Sequence, residues 1–166
     1  MPHMTEMKQT DIRTEFGAFK NSQVWFTVIM GVVGFGGMFS VYTYISWTMT
    51  EVAGMDQSLI WVVLMAYGIG MTIGNAFGGW LADRNLEFGI IFALACLIVI
   101  LTAFYFLSGH AIPATLCFGC VAFMGSTLVP SLQLRLVHVA GDAQTLAAAL
   151  NQSALNIANA AGATIG

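Results

Sequence analysis

The residues of this 166-residue sequence best suited to chemistry are few, and most carry no charge. Gly78-Gly79-Trp80-Leu81-Ala82-Asp83-Arg84 sets an acid and a base side by side behind a glycine pair. An acid so placed can bind the positive end of a helix dipole, the base can pair with an acid or a lipid phosphate, and Gly79 leaves room for another helix. Farther on, Gln152, Asn156 and Asn159 recur at i, i+4 and i+7 beside Asn151, so the three share one helical face. Tyr42, Tyr44 and Asn75 add hydrogen-bonding groups without fixed charge. Cys117-Phe-Gly-Cys120 has the Cys-x-x-Cys spacing of redox and metal sites, but no second Cys or His pair accompanies it, and a zinc site needs four ligands or three plus water. With Cys96 the count is three, an odd number inside apolar sequence, which gives no disulfide framework. These cysteines are read as small apolar side chains on helices, and no metal or cofactor is expected.

The elements that must hold these groups follow from the distribution of charge. Hydrophobic residues make up 58% of the chain and charged residues only 8%, where a soluble domain carries roughly 25%. The net charge of −3 offers no basic footprint for nucleic acid. Residues 21–50, 57–82 and 143–166 are uncharged runs of 30, 26 and 24 residues, and 88–134 is uncharged for 47. A bilayer crossing takes about 20 apolar residues, so the longest run must hold two, and Ser108-Gly109-His110-Ala111-Ile112-Pro113 is the turn that divides it. Five segments result, at about 24–48, 58–82, 88–107, 112–134 and 144–166. None alternates as a barrel strand does, so an all-α membrane protein is expected, a multi-span bundle of about five transmembrane helices. The runs are too long and too numerous for a cleaved leader.

Lys8, Arg13 and Lys20 precede the first segment, Arg84 follows the second and Arg135 ends the fourth, while the connections near 49–57 and 108–112 lack Lys and Arg. Alternating crossings put all five cations on one side. That side is cytoplasmic by the positive-inside rule, so a multi-pass inner-membrane protein with a cytoplasmic N-terminus is expected. Residues 1–20 read as a polar tail or interdomain loop, with a short surface helix near Thr14–Phe19, and residues 21–166 as the bundle. Short connections at Glu51–Gln57, Asp83–Glu87, Ser108–Pro113 and Arg135–Asp142 make neighbouring helices antiparallel. The apolar run continues to Gly166 without a polar flank, which suggests a piece of a longer chain.

Gly70, Gly74 and Gly78 recur at i, i+4 and i+8. Lipid supplies no hydrophobic drive for helix association, so such a face serves close backbone packing, and it can also let helices slide or rock. The amide face of the last segment is costly against lipid. It either hydrogen-bonds other helices or lines a solute path, looking into the bundle or a watery cavity. Tyr42, Tyr44, Asn75, Asn156 and Asn159 are the candidate solute-lining residues. Tyr44, near a segment end, is equally well an interfacial anchor.

The loop Gly79-x-x-x-Asp83-Arg84 resembles the Gly-x-x-x-Asp-Arg signature of the major facilitator superfamily. Val24-Trp25-Phe26 opening a glycine-rich segment, Tyr42-Thr-Tyr44-Ile-Ser46, Pro130-Ser-Leu-Gln-Leu-Arg135 and the run Ala149 to Asn159 extend the likeness to the twelve-helix drug:proton antiporter branch, especially the arabinose- and chloramphenicol-efflux-like permeases. The resemblance covers about residues 20–166 and implies helices 7 to 11 of the fold, in its C-terminal half. It also implies an absent N-terminal half as partner, and a cytoplasmic gate at Gly79, Asp83 and Arg84. Where the signature continues with Gly-Arg-Lys-type residues, this chain has Asn85-Leu86-Glu87.

The function expected is secondary active transport, an efflux permease that moves a small organic solute such as a sugar or drug by alternating access and is proton-coupled in the full-length protein. No acid and neither His110 nor His138 lies inside a predicted segment, so the proton carrier should reside outside 24–166. An intramembrane enzyme lacks a His-Glu-x-x-His, paired-carboxylate or Ser/His/Asp set in the segments. The remaining alternative is a non-transporting membrane scaffold or assembly subunit.

Overall fold

The computed structural model describes Gly17, residues 19–141 and residues 143–165. Most of the expected tail, including Lys8, Arg13 and its three acids, lies outside them, as do Thr14–Phe16, Ala18, Asp142 and Gly166. The elements are α1 (Ser22–Trp47), a π-helical turn (Thr48–Val52), a 3-10 turn (Gln57–Leu59), α2 (Ile60–Arg84), α3 (Leu86–Leu107), α4 (Ala111–Ala140) and α5 (Gln144–Ile165). Among the described residues, the spans containing α1 to α4 are long and apolar enough to cross a membrane. With 22 residues, α5 rises about 33 Å, and its amides make it more polar than the rest.

The helix ends follow from local hydrogen bonding. Asn21 caps α1, its Oδ1 accepting from the Gln23 N–H at 3.0 Å, and its Nδ2 donates to the Val139 carbonyl at 2.8 Å. One amide thus ties the start of α1 to the end of α4. Asn21→Ala is expected to lower stability by about 1 kcal/mol, read as a shift in thermal melting of the purified protein. Asn85 has an extended backbone that ends α2, and its Oδ1 accepts from the Phe88 N–H at 3.1 Å to start α3. Asp56 begins the 3-10 turn, and the Ser58 hydroxyl and N–H hold its carboxyl below the usual carboxylate range. That cap is therefore complete above the ordinary carboxylate pKa and is lost as pH falls through the depressed value.

Two expected boundaries need correction. The fourth helix continues six residues past 134 to Ala140, so Arg135 lies within it instead of ending it, and the connection begins only at Gly141. The first charge after an apolar run marks where hydrocarbon ends. The helix ends where its hydrogen bonds stop, here at a glycine with φ of 60°. Likewise α1 runs on through the π turn, so Glu51 is helical and not part of a loop.

The central element is α4. It packs against α1, α2, α3 and α5, and α5 lies chiefly along α1. By contrast, α1 and α2 lean on α4 and do not pack along each other. The helix ends near Lys20, Arg84 and Arg135 gather at one end of the antiparallel bundle, called here the basic end. The core between α1, α3 and α4 holds Phe35, Met38, Leu97, Val121 and Leu128. The outer side of α3 exposes Ile98, Val99, Tyr105 and Phe106 by two thirds or more, a surface suited to lipid and not to water.

Along the α2–α4 crossing, a Cβ on Gly70 would meet the Gly119 carbonyl, one on Gly74 the Phe123 carbonyl, and one on Gly78 the Thr127 carbonyl at 2.5 Å. The two four-residue series run in register, backbone against backbone. The Thr127 hydroxyl lies 3.2 Å from the Gly74 carbonyl and 2.8 Å from that of Phe123.

Candidate functional site

At the basic end, α2 delivers Asp83 and Arg84 to the surface, both exposed. Arg84 folds back along its own helix, its guanidinium 4.2 Å from the centre of the Trp80 ring, a cation–π contact. Gly79 is open, since a Cβ there would meet no atom within 4 Å. The ion pair at this end joins other residues: Arg135 of α4 reaches Glu87 of α3 at 3.4 Å. The same guanidinium donates from Nε to the Thr27 hydroxyl at 3.2 Å and from Nη2 to the Gln23 amide oxygen at 3.4 Å, both on α1. Arg135 therefore ties three helices together beside the Asp83 loop.

The candidate lining residues divide into three sets. Tyr44 donates its hydroxyl to the Ala163 carbonyl at 2.9 Å, a strut between α1 and α5. Tyr42, two residues earlier, is 44% exposed and turns toward α2 and α4. Its ring lies 4.9 Å from that of Tyr67 and 6.5 Å from that of Phe118. Asn75 is exposed on α2.

On α5, Asn151, Ala154, Ala158 and Gly162 form the buried face, whereas Gln152, Asn156 and Asn159 are exposed. Among the described residues, none of these three amides hydrogen-bonds another helix. They therefore do not bond across these five helices, because the small residues claim the contact with α1. A Cβ on Gly162 would come within 2.7 to 3.0 Å of the Ser40 and Gly36 backbone. Asn75 and the α5 amides are not brought together, since α2 and α5 pack chiefly on α4 and α1 respectively.

Tyr67, Phe118 and the partners of Arg135 do not stand out as site residues in the sequence. Tyr67 precedes Gly70 in the series 67, 70, 74, 78 that faces α4, a signal that the glycine stripe starts on an aromatic ring. Arg135 was visible as a cation close behind Pro130, but its partners are 48 to 112 residues away. Ser126, mid-α4, does not stand out either. Pro130 supplies no N–H to its carbonyl, and its own hydroxyl is buried without a partner. Among the described residues, no three His, Cys, Asp or Glu side chains are grouped to hold a metal ion, and the three cysteines are free.

Long apolar helices crossing on glycine faces, with charges confined to their ends, define an all-α integral membrane protein of multi-pass type. The chain belongs to the Major Facilitator Superfamily, whose family model matches residues 3–163. It is similar to an inner membrane transport protein, YdhP, of Escherichia coli O157:H7, with 32% identity over 94% of this chain and 40% of the relative. It is also similar to an uncharacterized MFS-type transporter, YfhI, of Bacillus subtilis (strain 168), with 36% identity over 93% of this chain and 39% of the relative. A chloramphenicol resistance protein of Streptomyces lividans is 29% identical over 91% of this chain and 38% of its own length. The chain thus spans about two fifths of the length of these relatives. No solved structure matches it.

Proposed function

We propose that these helices are part of the C-terminal half of a secondary active transporter, an efflux permease that carries a small organic solute across the inner membrane by alternating access. The observation that carries this reading is the outward amide face of α5. Three amides on one face of a helix packed along the apolar α1 need water, solute or another protein segment, and the small residues behind them leave no role inside this bundle. A solute path between this bundle and an N-terminal half meets that need. Relatives about two and a half times longer, one of them named for inner-membrane transport and one for chloramphenicol resistance, support the class and the efflux direction. In this reading the basic end faces the cytoplasm, Gly79, Asp83 and Arg84 form its gate, and proton coupling uses a carboxylate outside the described helices. Asn75, Asn156 and Asn159 line the path together with Tyr42, while Tyr44 braces it.

The test is solute efflux from proteoliposomes holding the whole transporter polypeptide. Asp83→Asn removes the gate charge at little change in size and is expected to slow transport roughly tenfold or more, with the amount of inserted protein unchanged. Transport at the parental rate would remove Asp83 from the gate. A whole polypeptide that moves no organic solute when a proton gradient is imposed would favour a scaffold.

A further inference from the structure

Rings from three helices meet in the half of the bundle away from the basic end. Phe118 of α4 is fully buried and Tyr67 of α2 nearly so, their ring centres 4.6 Å apart and their planes within 27° of parallel. Tyr42 of α1 lies over both. Because α1 and α2 do not pack along each other, this stack bridges the gap between them. One side of it is sealed by the core. The other ends in the Tyr42 ring, close to half exposed.

The hydroxyls make the stack more than packing. Among the described residues neither the Tyr42 nor the Tyr67 hydroxyl has a hydrogen-bond partner. Tyr67 as a whole is only 7% exposed, so of the two hydroxyls the open one is that of Tyr42, a residue 44% exposed. One phenol, Tyr42, thus presents an open polar group beside an aromatic surface, on a helix where lipid cannot satisfy it. Tyr44, which does have a partner, shows how a purely structural tyrosine in the same helix is arranged. Among the described residues every acid lies toward a helix end or in a connection, the nearest to Tyr42 along the chain being Glu51 of the π turn, nine residues or roughly 13 Å away. The surface is therefore neutral as well as aromatic.

We infer that Tyr42, Tyr67 and Phe118 form a solute subsite for neutral, planar aromatic compounds that carry a hydrogen-bonding group in the ring plane. The solute stacks on the Tyr42 face, and the Tyr42 hydroxyl exchanges a hydrogen bond with its polar edge. This rests on the transporter reading above and adds to it the class of solute.

The test is equilibrium binding to the whole transporter in lipid nanodiscs, corrected with empty nanodiscs, with 2-naphthol as the probe. Decahydro-2-naphthol, which keeps the carbon skeleton and hydroxyl but is neither planar nor aromatic, is the comparison. Saturable binding of 2-naphthol is expected, with none for the saturated analogue. Tyr42→Leu should weaken binding roughly tenfold, in keeping with stacking on one aromatic face. Tyr42→Phe should weaken it only a few-fold. Tyr42 is exposed enough for its variants to fold, and the phenylalanine variant serves if the leucine variant does not. Tyr42→Leu binding as tightly as the parent, or equal saturable binding of both probes, would overturn the inference.

The two readings fail separately. Efflux of some organic solute with naphthol binding indifferent to Tyr42 would remove the subsite and keep the transporter. Tyr42-dependent binding without any efflux would do the reverse.

Discussion

Gly74→Ala is expected to destabilise the bundle by about 3 kcal/mol, the upper part of the range for overpacking a tight contact. The added methyl group would overlap the Phe123 carbonyl and lie 2.8 to 2.9 Å from the carbonyl carbon and Cα of that residue. These are backbone atoms of α4 and cannot turn aside as a side-chain tip can, so the helices must separate. Separation also loosens the Gly70–Gly119 and Gly78–Thr127 approaches and lengthens the 3.2 Å contact of the Thr127 hydroxyl with the Gly74 carbonyl. In lipid no hydrophobic gain compensates, because apolar helix faces are solvated equally well by acyl chains. The control is Gly68→Ala on the same helix. Nothing lies within 4 Å of a Cβ there, and replacing a mid-helix glycine by alanine is favourable by roughly 0.5–1 kcal/mol. Thermal melting in detergent should therefore move in opposite directions for the two variants. A similar fall in both would mean that the α2–α4 crossing is not what Gly74 secures.

The second large effect is expected at Arg135. Arg135→Met keeps the length of the stem and removes the guanidinium, leaving Thr27, Gln23 and Glu87 without their shared partner. The Glu87 carboxylate is 78% exposed and water rehydrates it, so that arm is worth little. The Arg135 side chain is only 19% exposed, and Thr27 is buried. Its bonds to α1 should therefore carry most of a total of about 2 kcal/mol. Arg135→Lys retains the charge but cannot hold three acceptors in the fixed fork of arginine, and should recover less than half of the loss. A double-mutant cycle with Thr27→Val measures the coupling directly. Zero coupling between the two positions would assign the whole effect to Gln23, Glu87 or the stem.

Much of the architecture is legible in one dimension because lipid imposes few choices. An uncharged run long enough to cross must satisfy its own backbone, which makes it a helix, and short polar breaks make successive helices antiparallel. The glycine spacing 70, 74, 78 shows which face of α2 is smooth. Which residues of α4 lie against that face could not be read from it, since Gly119, Phe123 and Thr127 are chemically unlike one another. The end of α4 was misplaced because Arg135 marks a change of solvent, while the chain keeps its hydrogen bonds as far as Gly141. Tyr42 and Tyr44 look equivalent in sequence. Two residues apart on a helix they point about 200° apart, so one must meet a different neighbour from the other, but spacing does not name the neighbour.

The sequence by itself determined the solvent of this protein, the number of its helical segments and the side-chain chemistry available to them. It also carried the Gly79, Asp83 and Arg84 loop through which its family resemblance was visible. These depend on composition and on contacts within a few residues. Only the tertiary structure decided which of those groups remain open. Ala154, Ala158 and Gly162 occupy the contact with α1 and turn the α5 amides outward; Ala163 takes the hydroxyl of Tyr44, while Tyr67 and Phe118 turn the ring of Tyr42 into a surface. Each of those outcomes depends on a partner tens of residues distant, brought near by helix packing that no local pattern encodes.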